Sequence, residues 1–173
     1  MVDNIKILKR NILTTRDNLN ILINSDLLNK IDKLSRLIHT SLKNKKKLLF
    51  CGNGGSASEA SHIAAEFVGR YLKERREQPA ISLTTDNSII TAIGNDYSFK
   101  EIFSKQIKAI GNKGDILIAL STSGKSENII HAIKSAKAKG MKTVLFTGEK
   151  KFKHKKLINF EINAPAKRVD RIQ

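Results

Sequence analysis

KLLFCGNGGSASEASHIAAEFVGRY, residues 47–71, sets the frame for the rest of the chain. The apolar run from Leu48 to Cys51 breaks into Gly52-Asn53-Gly54-Gly55-Ser56 and then into small residues at helical spacing. That pattern predicts a strand, a tight glycine turn and a helix. Such a turn suits an anion: its glycines allow close backbone approach, Ser56 can cap the helix, and the first-turn N–H groups with the helix dipole favour a phosphate. Spacing excludes two other glycine loops. A dinucleotide fingerprint counted from Gly52 has Ala57 where its third glycine belongs, and a nucleotide P-loop ending in Gly124-Lys125-Ser126 has Ala119 where its first glycine belongs.

Outward from this stretch, the periodicity predicts two amphipathic helices on the N-terminal side. Ile5, Leu8, Ile12, Leu19 and Leu22 line the first; Leu27, Ile31, Leu34, Ile38 and Leu42 line the second, started by Ser25 or Asp26. The pair, within residues 1–45, offers more apolar surface than one sheet needs, which points to packing within the chain or to an oligomer contact. On the other side, Pro79 to Leu83 reads as a strand, and Thr84 to Asn87 as a capping run before a short helix closed by Gly94, leaving Asn95-Asp96 in a loop. A helix over 99–110 follows, then a strand from Asp115 to Leu120. Ser121-Thr122-Ser123-Gly124-Lys125-Ser126 comes next, with four hydroxyls in six residues, ahead of a helix from Asn128 to Lys139. Hydroxyls and N–H groups converging on a helix start repeat the anion-binding physics of the first loop. Strands from Lys142 to Thr147 and Ile158 to Asn163 complete the series, with a basic loop from Lys150 to Lys156 between them.

Five strands alternating with helices, without two-residue hairpins, predict a single domain: a three-layer α/β/α sandwich around a five-stranded parallel sheet, preceded by the helical pair. Ligands of such sheets sit beyond the carboxyl ends of the strands, where the glycine loop, Thr84 to Asn87, Ser121 to Ser126 and Thr147-Gly148 all fall. One anionic ligand could touch several of them.

Composition narrows the class. A chain of 173 residues is one domain with a real core, and no run of about 18 apolar residues indicates a membrane span. No signal peptide is read at the N-terminus and the single cysteine, Cys51, falls in a buried strand, so a cytoplasmic protein is expected. The net charge of +16 could suggest nucleic acid, but the lysines scatter over helices and loops with two Tyr, seven Phe and no Trp among them. The reading is a solvated basic surface rather than a nucleic-acid site.

Within the first loop's helix, His62 and Glu66 stand four apart on one face, while Ala60, Ile63, Ala64, Phe67 and Tyr71 fill another. An imidazole and a carboxylate so placed could share a metal, act as acid and base, or form a plain surface pair. His39, His131 and His154 read as solvated, with no acidic grouping. Arg70 could meet an anion or cover apolar surface, and Asp96 could bind a hydroxyl or cap a turn.

Together CGNGGSASEASHIAAEFVGRY, IGNDYSF, ALSTSGKSENI and the terminal DRIQ closely resemble the phosphoheptose isomerases, a branch of the sugar-isomerase (SIS) domain superfamily, from about Gly52 to Gln173. The resemblance implies a flavodoxin-like SIS fold and interconversion of sedoheptulose 7-phosphate with D-glycero-D-manno-heptose 7-phosphate through an enediol. That reaction is the first step toward ADP-heptose for bacterial surface glycans. By motif, Asn53, Gly54, Gly55 and Ser56 would line the sugar site, Asn95 and Asp96 would contact substrate, and Ser121, Thr122, Ser123 and Ser126 would hold the phosphate. Glu66 would be the catalytic base. His62, Glu66 and Gln173 would hold one zinc ion, Gln173 touching substrate as well. A homotetramer with sites at subunit contacts is expected. In the family the Arg-Ile-Gln motif opens a C-terminal helix bearing a histidine that acts as general acid and metal ligand, and the sequence is expected to stop short of it. The alternative, a non-catalytic SIS regulator of the replication-initiator-associating kind, lacks the carboxylate found here at Glu66.

Overall fold

The computed structural model describes residues 3–149 and 152–172. Strands β1 (Leu48–Cys51), β2 (Ala80–Ser82), β3 (Ile116–Leu120), β4 (Lys142–Thr147) and β5 (Phe160–Asn163) form one parallel sheet in the order β2-β1-β3-β4-β5. Helices α1 (Asn4–Ile23) and α2 (Leu27–Lys43) precede it; α3 (Gly55–Val68), α4 (Asn87–Asp96), α5 (Ser104–Ile110) and α6 (Glu127–Ala138) connect strands, and α7 (Val169–Ile172) follows β5. This is the expected three-layer sandwich with its helical pair. None of its helices is long and apolar enough to cross a membrane, among the described residues.

Strand pleating divides the core into two layers. Leu48 and Phe50 of β1 and Ile116, Ile118 and Leu120 of β3 pack with α2 and α3; Leu49, Cys51, Leu117 and Ala119 face α5 and α6. Burial of both faces explains why these strands read as unbroken apolar runs. Register is set by β1 on β3, from Leu48 opposite Ile116 to Cys51 opposite Ala119. Phe50, fully buried, meets Phe67 of α3 at 6.0 Å between ring centroids. Burying a side chain of that size contributes about 1.5–3 kcal/mol. At the opposite end of the strands Asp115 is buried and accepts from Lys47 Nζ at 2.6 Å, Lys47 N at 3.1 Å and Asn112 N at 2.8 Å.

Several boundaries differ from the sequence reading. Asn95 and Asp96 are the last two residues of α4 rather than a loop, because Gly94 lies in open space without a positive φ and the helix bonds run on, Tyr97 N donating to Ile93 O at 3.1 Å. The helix expected over 99–110 splits into a 3₁₀ turn, Phe99–Glu101, and α5. Burial of both Ile102 and Phe103 turns the chain there onto the sheet. Ser25 Oγ accepts from Leu27 N at the start of α2, whereas Asp26 makes no capping bond. Tyr71 lies beyond α3 and is exposed. Lys150 and Lys151 of the basic loop lie outside the described residues.

His131 is not simply solvated. Its Nδ1 is 2.7 Å from Glu101 Oε1, joining α6 to the 3₁₀ turn, and the same carboxylate accepts from the Ser104 hydroxyl. These donors hold the Glu101 carboxyl below its ordinary range, Ser104 first and His131 second.

Candidate active site

The strand order turns back between β1 and β3. From β1 the chain passes through α3 to β2, and from β3 through α6 to β4, so the two loops leave neighbouring strands toward opposite faces. A crevice opens at such a point beyond the strand ends. Two side chains span it. Asn53 Nδ2 donates to Asn128 Oδ1 at 2.9 Å, Asn128 Nδ2 donates to Asn53 Oδ1 at 2.8 Å, and Asn128 is buried in the first turn of α6.

The first loop is built by backbone demands. Gly54 has φ +56° at the cap of α3, and a Cβ on Gly52 would stand 2.4 Å from the Ser56 carbonyl oxygen. Both positions need glycine for those reasons. Gly54, not Ser56, takes the cap position: the helix starts at Gly55, and Ser56 is buried within its first turn. Gly55 is exposed at the helix start.

The second loop crosses the end of β4. Ser121 N donates to Phe146 O at 3.0 Å, Gly148 N donates to Thr122 O at 3.2 Å, and Gly124 N donates to Ser121 O at 3.1 Å. The hydroxyls of Ser121 and Ser126 are 3.4 Å apart, and Ser123 Oγ accepts from Lys125 N at 3.1 Å. Ser126 caps α6 by position without a side-chain capping bond. Beneath the loop Thr147 is buried, and its Oγ1 has no hydrogen-bond partner among the described residues.

A cleft of about 460 Å³ lies beside both loops, lined by Ser56, Glu59, Ser121, Thr122 and Thr147, with Thr15 and Asn18 of α1 across it. Its size suits a small phosphorylated sugar. Arg171 of α7 closes one side, donating to Thr15 Oγ1 at 2.8 Å. Burial raises the Glu59 carboxyl above its ordinary value.

His62 and Glu66 continue the stripe that Glu59 begins, since residues three and seven apart share a helix face. His62 Nε2 and Glu66 Oε1 are 3.7 Å apart; the imidazole is exposed, while Glu66 Oε2 is buried without a hydrogen-bond partner among the described residues. An orphaned carboxylate oxygen beside an imidazole is a donor set that a cation could complete.

Residues 16–148 match the SIS domain family model. The phosphoheptose isomerase of a Nitratiruptor species is 50% identical over 133 residues, covering 77% of this chain and 71% of the relative. That of Aliarcobacter butzleri is 48% identical over 143 residues, 83% of this chain and 76% of the relative. A solved phosphoheptose isomerase from Francisella tularensis superimposes with a TM-score of 0.93 at 32% identity, covering 99% of this chain and 91% of that one. The enzyme from Neisseria gonorrhoeae gives 0.88 at 36% identity, with 96% and 89% covered.

The chain belongs to the phosphoheptose isomerases of the SIS domain family.

Seen as a phosphoheptose isomerase, the chain brings only part of its expected site together. Ser56, Ser121 and Thr122 share the cleft, Asn53 reaches α6, and Gly54 and Gly55 form the turn between them. Ser123 is exposed and Ser126 half-buried at the start of α6. Asn95 and Asp96 do not line the cleft and are exposed at the end of α4, where Asn95 Nδ2 donates to Asp96 Oδ1 at 2.9 Å. His62 and Glu66 do not line the cleft. Gln173 lies outside the described residues. Glu59 and Asn128 belong to the neighbourhood but were not singled out by the sequence. The spacing of Glu59 to His62 and Glu66 carried a signal for the first; only the tertiary pairing identifies the second.

Proposed function

We propose that this chain is an isomerase interconverting sedoheptulose 7-phosphate and D-glycero-D-manno-heptose 7-phosphate. The observation that carries the reading is the meeting of two anion-type loops, Gly52 to Gly55 and Ser121 to Ser126, through Asn53 and Asn128 in a phosphoheptose isomerase chain. The phosphate binds the hydroxyls of Ser121, Thr122, Ser123 and Ser126 at the N-terminus of α6, where N–H groups and dipole favour an anion. Asn53, Gly54, Gly55 and Ser56 hold the sugar, and Asn95 and Asp96 contact it from α4.

Glu66 is the base. It takes a proton from C1 of the ketose to give the enediol and returns it at C2 of the aldose, while a second proton passes between O1 and O2. The buried Glu66 Oε2, without a partner among the described residues, and its neighbour His62 support a zinc site there, with Gln173 as a further ligand. Zinc when bound polarises the two substrate oxygens. The reading includes a homotetramer, supported by α1, none of whose residues is buried and whose Ile5, Leu8 and Ile12 are each 60% exposed or more. It also includes a cytoplasmic location.

NMR of the chain with sedoheptulose 7-phosphate and zinc in deuterated water tests the assignment. Deuterium uptake at C1 together with aldose formation is expected, and Glu66→Gln abolishes both without unfolding the protein. Undiminished exchange in that variant removes Glu66 from the mechanism.

A further inference from the structure

Residues 69–79 leave the end of α3 and return to the sheet at β2. Arg75, midway along this strap, turns its guanidinium back onto the helix. Its Nη2 donates to Glu66 O at 2.5 Å, and its Nη1 donates to Phe67 O and Arg76 O, each at 3.0 Å. Gln78 N donates to Phe67 O at 3.0 Å, and Gly69 N donates to Ala65 O at 2.8 Å. The last carbonyls of a helix lack partners within it, so Arg75 and Gln78 supply what α3 cannot supply itself. A fixed positive charge at a helix C-terminus also meets the favourable end of the dipole.

The helix turn held in this way carries Glu66, whose Oε2 is buried without a partner among the described residues. We propose that Arg75 is a positioning residue for isomerisation: its guanidinium fixes the main chain at Glu66 and Phe67 and so sets where the Glu66 carboxylate stands. The inference rests on the reading of Glu66 as the base. The geometry asks for arginine. A planar fork reaches three main-chain oxygens from two nitrogens, which the single ammonium of lysine does not reproduce. The Phe67 ring packs on buried Phe50, so the same contacts tie the end of α3 to β1.

The test compares the full chain with Arg75→Met and Arg75→Lys, measuring isomerisation of sedoheptulose 7-phosphate, amide hydrogen exchange and thermal unfolding. Arg75→Met is expected to lower kcat about 10- to 100-fold with KM within about twofold, because a small displacement of a reacting group is costly. It should also speed exchange of the Gln78 and Gly69 amides about tenfold or more, with the midpoint of unfolding little changed. Arg75→Lys should recover part of both. An unchanged kcat in Arg75→Met overturns the proposal, as does a fall in kcat that tracks a global loss of stability or leaves the two amides as protected as before. A wild-type chain without turnover overturns the reading of Glu66, and this role with it; the wild-type control separates that failure from an effect of Arg75.

Discussion

Asn53 and Asn128, 75 residues apart in sequence, complete each other's amides across the crevice between β1 and β3. The pair fixes the glycine turn to the first turn of α6, so the sugar side and the phosphate side of the proposed site move as one unit. Asn128 also accepts from the Ile129 N–H through the same oxygen. Replacing it by Ala leaves the Asn53 amide without its partner. A loss of about 1–3 kcal/mol of stability is expected. Urea denaturation checks the loss, and an unchanged midpoint with unchanged slope would show that the pair contributes nothing net.

Gly52→Ala places a methyl group 2.4 Å from the Ser56 carbonyl oxygen, a backbone atom that cannot rotate away. The start of α3 must shift, and with it the glycine loop proposed to hold the sugar. Titration with sedoheptulose 7-phosphate should show affinity reduced at least about tenfold, a loss of about 1.4 kcal/mol. Native affinity in a folded variant would separate this turn from the ligand site.

Asp115 and Lys47 lie at the other end of the strands, far from the loops in the topology, and form a largely buried ion pair. Asp115→Ala strands the lysine and two main-chain N–H groups, so a loss of about 3–5 kcal/mol is expected. Replacing both residues by apolar ones of similar volume should cost much less. Thermal unfolding of the single and double variants distinguishes a pair needed for stability from one that is merely tolerated.

Glu101 predicts a pH dependence. Its carboxyl titrates below the ordinary value of 4.5 because Ser104 and His131 hydrogen-bond to its charged form. The unfolded chain therefore binds a proton at Glu101 more readily than the folded chain does. Its stabilising contribution is full above pH 4.5 and is lost as pH falls through the lower folded value. Stability measured across this acid range should fall less steeply in Glu101→Gln than in the wild type; parallel curves would exclude the contribution.

Thr147→Val tests an orphaned group. The hydroxyl is buried beneath the Ser/Thr loop without a hydrogen-bond partner among the described residues, so an isosteric apolar replacement is expected to be neutral or stabilising. Calorimetry should give an equal or higher midpoint. A clear drop would mean that the hydroxyl acquires a partner in solution.

The sequence by itself determined the layers. Runs such as Leu48 to Cys51 and Ile116 to Leu120 are apolar at every position because both sheet faces are covered, and the Gly52 turn and the Ser/Thr loop follow strands directly, where local spacing is enough to place them. The glycine loop, the Ser/Thr loop and the spacing of His62 and Glu66 on one helix could be read for the same reason: each is contained within a few turns of one element. Local rules failed where burial or helix continuity decided the outcome. Gly94 did not end α4, Ser56 was drawn inside α3, and His131 gained Glu101 from a turn 30 residues away.

Only the tertiary structure decided which loops meet and what holds them. The strand order places β1 beside β3, and from that adjacency come the Asn53–Asn128 pair, the cleft that includes Glu59, and the space between α1 and the loops. The Arg75 contacts likewise depend on how the strap folds back onto α3. Helix and turn signals act through hydrogen bonds and side-chain spacing over a few residues. Pairings between distant residues are set by the packing of the whole sheet, which a local pattern does not encode.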